Sequence, residues 1–279
     1  MKRLTVMVLA LAVLAGSGMA TSFLGRSSGM NKQYQFFGWT NFGYSQTALS
    51  YNWNSGKYEA PDGFVTTQTT SCDLTLAFGL TCDFDIDVVA PLAMKQKGDA
   101  KSAGLGDLMV YARYGLLQDP EKPLKVALLL GGNLPTADKN ASPALGDRTT
   151  DFAFGLSMNT KKLGKFLGHI RAAYWFNGSN GDTRVGDMFE YVLCGDYSVS
   201  QTVIPELALS GYIRDQTDWG GTWMPQSEVS QHLASLLVMW KPLSMLTIRP
   251  KVSFPLTIIS EGSTMANWYA GLDVWVFVP

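Results

Sequence analysis

Apolar and polar residues alternate along most of this chain with a period of two. Leu108, Val110, Ala112, Tyr114 and Leu116 share one side, and Asp107, Met109, Tyr111 and Arg113 the other. A β-strand sends successive side chains to opposite faces, so such a segment has one face suited to hydrocarbon and one suited to water. Phe84, Ile86, Val88, Ala90 and Leu92 likewise oppose Asp85, Asp87 and Lys95, and Leu124, Val126, Leu128 and Leu130 oppose Lys125 and Asn133. Downstream, Phe152, Phe154, Leu156 and Met158 oppose Asp151, Ser157 and Asn159, and Leu246, Ile248, Val252, Phe254 and Leu256 oppose Arg249, Lys251 and Ser253. In 33–51, in 229–240 and in the last strand both faces carry apolar residues, and no face is assigned.

The pattern predicts twelve strands, at 33–50, 64–80, 83–96, 104–118, 123–136, 149–160, 166–178, 188–200, 203–217, 228–242, 245–258 and 267–278. Their connections alternate between short ones, such as Thr81–Cys82 and Leu243–Ser244, and long polar ones, such as 52–63, 137–148 and 218–227. Outer-membrane barrels show this asymmetry, with tight periplasmic turns and longer external loops. A soluble sandwich also alternates, but its strands average about 5–6 residues, whereas a tilted bilayer-crossing strand needs about 9–11. The fold class is therefore all-β, a transmembrane antiparallel up-and-down barrel of about twelve strands, closed so that no sheet edge meets lipid. Phe84, Tyr114, Phe166, Tyr174, Phe176, Tyr197 and Trp268, near segment ends, are candidates for the interfacial aromatic girdles.

Composition agrees: 46% of the 279 residues are hydrophobic and 16% charged, against about 25% charged in an ordinary soluble domain. With 22 basic and 23 acidic residues there is no basic stripe for a row of phosphates, so nucleic acid is not an expected partner. Lys2 and Arg3, an apolar run from Leu4 to Ala15 and small residues up to Ala20 read as a signal peptide over 1–20. Residues 21–32 are then an N-terminal periplasmic segment or a plug, and 33–279 the barrel in a bacterial outer membrane. Cys72, Cys82 and Cys194 fit either one disulfide plus a thiol or three packing residues, and their spacing matches no zinc or redox motif.

Phe78-Gly-Leu-Thr-Cys-Asp-Phe-Asp-Ile-Asp-Val-Val-Ala-Pro-Leu92 resembles the opening hairpin of the phenol meta-pathway outer-membrane family. Gly104-Leu-Gly-Asp-Leu108 with Tyr111, Ala112 and Tyr114 is similar to that family's second recurring segment, and Asn133-Leu-Pro-Thr-Ala-Asp138 to its third. Thr149-Thr-Asp-Phe152 and Tyr174-Trp-Phe-Asn-Gly178 extend the likeness, which spans roughly residues 70 to 215. The resemblance implies a channel that admits aromatic or other poorly polar small molecules. Its implied partners are outer-membrane lipid, a small-molecule solute and the barrel-assembly machinery. The ending Trp275-Val-Phe-Val-Pro279 departs from the Phe or Trp with which barrels usually close.

Twelve tilted strands give a backbone diameter of roughly 24 Å, and side chains leave about 10 Å or less inside it. The charged candidates for lining this lumen are Asp85, Asp87, Asp107, Asp151, Glu190 and Glu206, balanced by Arg113, Lys125, Arg171, Arg214, Arg249 and Lys251. Asp73, Asp196 and Lys95 fall on the same faces, and Tyr111, Trp175 and Tyr212 offer inward rings. Such charges make either a gate for small solutes or a structural salt-bridge ladder. No cofactor, metal or catalytic set is expected. Gly104-Leu-Gly lacks the third glycine of a dinucleotide site, and Asn177, Ser179, Asn180 and Asp182 lack the bidentate Glu of a calcium loop. The alternatives from other classes are a non-conducting structural or adhesive barrel, and an outer-membrane phospholipase. The latter needs a His beside a Ser, and the two histidines, His169 and His232, fall toward opposite ends of the barrel.

Overall fold

The computed structural model describes residues 28–61 and 63–277. The expected signal peptide and residues 21–27 lie outside them. Twelve long strands are present: β1 (Phe36–Asn52), β2 (Thr67–Thr81), β3 (Phe84–Lys97), β4 (Leu108–Leu117), β5 (Leu124–Leu134) and β6 (Asp151–Thr160), then β7 (Phe166–Phe176), β8 (Met188–Tyr197), β9 (Val203–Arg214), β10 (Val229–Leu243), β11 (Leu246–Pro255) and β12 (Thr264–Phe277). Each pairs antiparallel with its sequence neighbours. β1 also pairs with β12, placing Trp39 opposite Trp275 and Asn41 opposite Asp273, so the sheet closes on itself. Closure leaves no free edge of this sheet facing lipid, as hydrocarbon requires.

The faces are inverted relative to a soluble protein. On β6, Phe152, Phe154 and Leu156 are exposed, while Asp151, Ala153, Gly155, Ser157 and Asn159 are buried. Across the barrel, Leu76, Phe152 and Leu207 are 61–66% exposed, yet Asp85 and Asp87 are fully buried. Each outward Leu or Phe gains about 1.5–3 kcal/mol on leaving water, so this arrangement is stable only with lipid outside. Tyr114, Phe166, Phe176, Tyr197 and Trp268 are exposed at strand ends, where a girdle belongs. Lys165 sits 5.9 Å above the Tyr197 ring.

The ambiguous segments now have faces. On β1, Phe37, Trp39, Asn41 and Ser45 are buried, and on β10, Val229, Gln231, Leu233, Ser235 and Leu237 are buried, while Leu236 and Val238 are exposed. Their inward apolar residues hid the alternation. Phe37 and Trp39 stack at 5.2 Å and pack with Ala77 and Trp275 inside the barrel.

Three expectations need correction. The fourth strand starts at Leu108, not at residue 104, because Ala100–Leu105 folds back on the upper part of β3 as a short arm, with Leu92 opposite Leu105. Residues 97–103 are therefore a hairpin with its turn at Gly98, which has positive φ, and not an irregular loop. The disulfide alternative falls as well: Cys72, Cys82 and Cys194 are all free, with Cys82 exposed in the β2–β3 turn and Cys194 buried in the interior. On the long-loop side, Ser179–Asn180, Thr183–Arg184, Asp218–Trp219 and Thr222–Trp223 make a separate four-stranded sheet. In that sheet the segment 179–184, expected not to be a calcium loop, is a hairpin, with an Arg184–Asp187 ion pair at 2.7 Å beside it.

Candidate functional site

The barrel interior has three tiers. At the short-turn end lies an ionic tier. Arg249 reaches Asp273 on β12 at 2.6 Å and Glu206 on β9 at 3.3 Å, and its guanidinium lies 4.7 Å over the Trp275 ring. Lys251 adds a 3.5 Å contact to Asp273 and one of 3.4 Å to Asn41. Arg113 stands 3.9 Å from Asp85, and Arg171 is buried on β7. Interleaved signs tie adjacent and next-but-one strands together along the wall, which is the ladder arrangement.

His169, Cys194 and Asp196 also meet in this tier, their ligand atoms within 4.8 Å of one another, with His169 Nε2 bonded to Asp196 Oδ2 at 2.7 Å. Sequence spacing gave no sign of the trio, because Cys194 and His169 become neighbours only through β7–β8 pairing. His232, toward the other end, instead contacts Tyr191 at 2.6 Å and Ser230 at 2.9 Å.

The chain preceding β1 runs into the ionic tier. Ser28 is fully buried; its N–H donates to Asn159 Oδ1 at 3.3 Å, and Gln118 donates to its carbonyl at 3.0 Å. The Asn31 N–H donates to both oxygens of Asp85, at 3.1 and 3.3 Å. Gly79 makes room for this crossing, since a β-carbon there would collide with the Lys32 carbonyl.

Above it is an apolar tier. Val89, Tyr111, Leu129, Ala153, Ala173 and Trp175 are buried together on consecutive strands β3 to β7. Polar residues are the rule at inward positions of a porin, so this cluster marks a wall of different character.

The third tier is a chamber of about 290 Å³ toward the long-loop end. Met109, Trp175 and Met188 form its apolar wall, with Pro91 and Leu145 at its side, and Asp107, Asp147 and Asp151 contribute carboxylates. The loop 135–150 closes one side because Asp107 holds it: one carboxylate oxygen accepts the Ala137 N–H and the other the Arg148 N–H, both at 2.9 Å. Gly146 lies so close to that carboxylate that any β-carbon would overlap it. Lys95 donates to the Ala144 carbonyl at 2.7 Å and Ser102 to the Pro143 carbonyl at 2.6 Å, fastening the same loop to β3 and its arm. Asp151 accepts from Thr149 Oγ1 at 2.7 Å, from the Gly178 N–H at 2.8 Å and from Asn133 at 3.2 Å. Burial, and then the charge of Asp151, push the Asp147 carboxyl up to about 6.

The chamber gathers Asp107, Asp151 and Trp175 from the expected residues, and Trp175 leads to Glu190, which accepts its indole N–H at 2.8 Å. Tyr111 belongs to the apolar tier, and Asp87 is buried on the neighbouring β3, opposite it. Lys125 faces inward half-buried beside Asn159, Tyr212 is half-buried on β9, and Arg214 turns toward the loop 215–228, donating to the Ser227 carbonyl at 3.4 Å. Leu145, Gly146 and Asp147 were missed. A single Leu beside Gly in a polar loop was their only signal, and it does not say that the loop folds inward.

The fold is shared with solved outer-membrane barrels. An outer membrane channel from Pseudomonas putida F1 superposes with a TM-score of 0.78 at 13% identity, covering 94% of this chain and 100% of that one. The NanC porin gives 0.53 at 9% identity, over 86% and 100% of the two chains. The beta domain of the Bordetella autotransporter BrkA gives 0.50 at 13%, over 88% and 100%. No curated protein matches the sequence. Residues 64–257 match the family described as "Putative MetA-pathway of phenol degradation", and the chain, an outer-membrane β-barrel, belongs to that family.

Proposed function

We propose that this protein is a passive outer-membrane channel for small, poorly polar molecules, aromatic ones included. The observation that carries the reading is the apolar tier, Val89 to Trp175, opening into the chamber. A water-filled pore would gain nothing from burying Tyr111, Leu129 and Trp175 in its lumen, whereas a poorly polar solute gains by leaving water there. Size is consistent: an engineered cavity of about 150 Å³ accepts benzene, so 290 Å³ suits one substituted ring. Family membership and the similarity to the P. putida channel support the same reading. Within the segment 21–32 the described residues 28–32 act as a plug at the periplasmic mouth, a reading supported by the anchoring of Ser28 and Asn31.

Planar-bilayer conductance and liposome uptake of small solutes test this. Flux that rises when residues 21–32 are removed supports both parts, and unchanged flux counts against the plug. A barrel with neither current nor uptake, with or without the segment, is the structural alternative.

A further inference from the structure

Three carboxylates, those of Asp107, Asp147 and Asp151, line the chamber, and among the described residues no Lys or Arg lines it. The neighbouring described cations lie outside the lining, Lys95 alone acting on one of the three carboxylates, Asp107. Arg148 directs its guanidinium to the Asp138 and Ala141 carbonyls, Lys95 donates to Ala144, and Arg184 pairs with Asp187. In the ionic tier, by contrast, charges of both signs are matched, whereas the chamber lining carries acidic groups alone. Walls of low dielectric constant strengthen such a field.

Resting on the channel reading above, we propose that the chamber is a charge filter: it accepts aromatic cations and neutral aromatics bearing a hydrogen-bond donor, and it rejects aromatic anions. The ring lies against Trp175, Met109 and Met188. The ammonium or hydroxyl group faces the carboxylates of Asp147 and Asp151, and an ammonium also gains from the Trp175 ring face. An aromatic carboxylate or sulfonate of the same size fits the space but meets like charge and finds no cationic partner in the wall.

The test uses the processed protein in liposomes with two permanently charged, lipid-impermeant probes of one ring each, benzyltrimethylammonium and benzenesulfonate. The buffer is held at pH 8, above the about 6 to which Asp147 is raised. The cation is expected to enter at least about tenfold faster, and Asp147→Asn with Asp151→Asn to bring the two rates within about threefold. Asp147→Asn alone, confined to the loop, gives a partial loss and guards against misfolding of the double variant. Equal wild-type rates, or faster sulfonate entry, overturn the filter while leaving the channel intact. If neither probe enters and potassium chloride gives no current, with or without residues 21–32, the channel reading fails too.

Discussion

Trp175 on β7 donates its indole N–H to the Glu190 carboxylate on β8 over 2.8 Å, with both side chains buried in the barrel. The bond fixes the ring that forms one wall of the chamber. Trp175→Phe keeps an aromatic face but removes one hydrogen bond to the buried Glu190 carboxylate, which costs about 1–3 kcal/mol. Urea unfolding in detergent should show that loss, and Glu190→Gln, which can still accept, should show less. Trp175→Ala should also weaken chamber binding of benzyl alcohol about tenfold, measured by saturation-transfer NMR, through the lost ring contact.

Asp147 gives the loop a pH dependence. Its carboxyl is raised from 3.8 to about 6, first by burial and then by Asp151, with Asp107 also against it. A raised acid favours the seated loop when protonated. The stabilisation is therefore fully present below about 3.8 and is lost as pH rises through about 6. Arg148 and Lys95 are the cations on the same loop contact. Hydrogen-exchange protection factors of residues 135–150, taken relative to the intrinsic exchange rate at each pH, should be higher at pH 4.5 than at pH 7.5, and Asp147→Asn should remove the difference. An unchanged difference in that variant would assign the effect to another group.

Arg249 sits between Glu206 and Asp273, all three nearly excluded from solvent. Arg249→Met leaves two buried acids without their shared cation, and loss of one partner of such a pair costs about 3–5 kcal/mol. Replacing all three by Met, Gln and Asn should recover much of that stability. Denaturant midpoints in micelles decide it. A single variant as stable as wild type would mean that the ladder contributes nothing.

Membrane depth can be read from one strand. Leu156 lies mid-way along β6 and Phe152 near its long-loop end, both facing outward. Leu156→Arg should cost about 2–4 kcal/mol and Phe152→Arg about 0–1, measured by refolding into lipid vesicles. Equal costs would contradict the placement of the bilayer.

Much of the fold was legible because alternation is a local property. Asp85, Asp87, Arg113, Asp151 and Arg249 could be turned inward from their neighbours alone, and each is buried. The pattern failed at β1 and β10, where Trp39 and Leu237 face inward among apolar companions. It failed again at residue 104, because an arm that pairs with β3 has the same alternation as a wall strand. The chamber was only half legible. Trp175 and Asp151 lie on strands, but Leu145, Gly146 and Asp147 reach it through a loop whose path depends on the Asp107 carboxylate, about forty residues earlier in the chain.

The sequence alone determined that hydrocarbon-facing rows exist, how many strands carry them and which ends bear long loops, since each follows from neighbouring residues and the geometry of a strand. Only the tertiary structure decided what fills the inside. Ser28 meets Asn159, and Arg249 meets Glu206, across 131 and 43 residues of chain. Such partners are set by which strands and which preceding segment the closed sheet brings side by side, a proximity that no local pattern encodes.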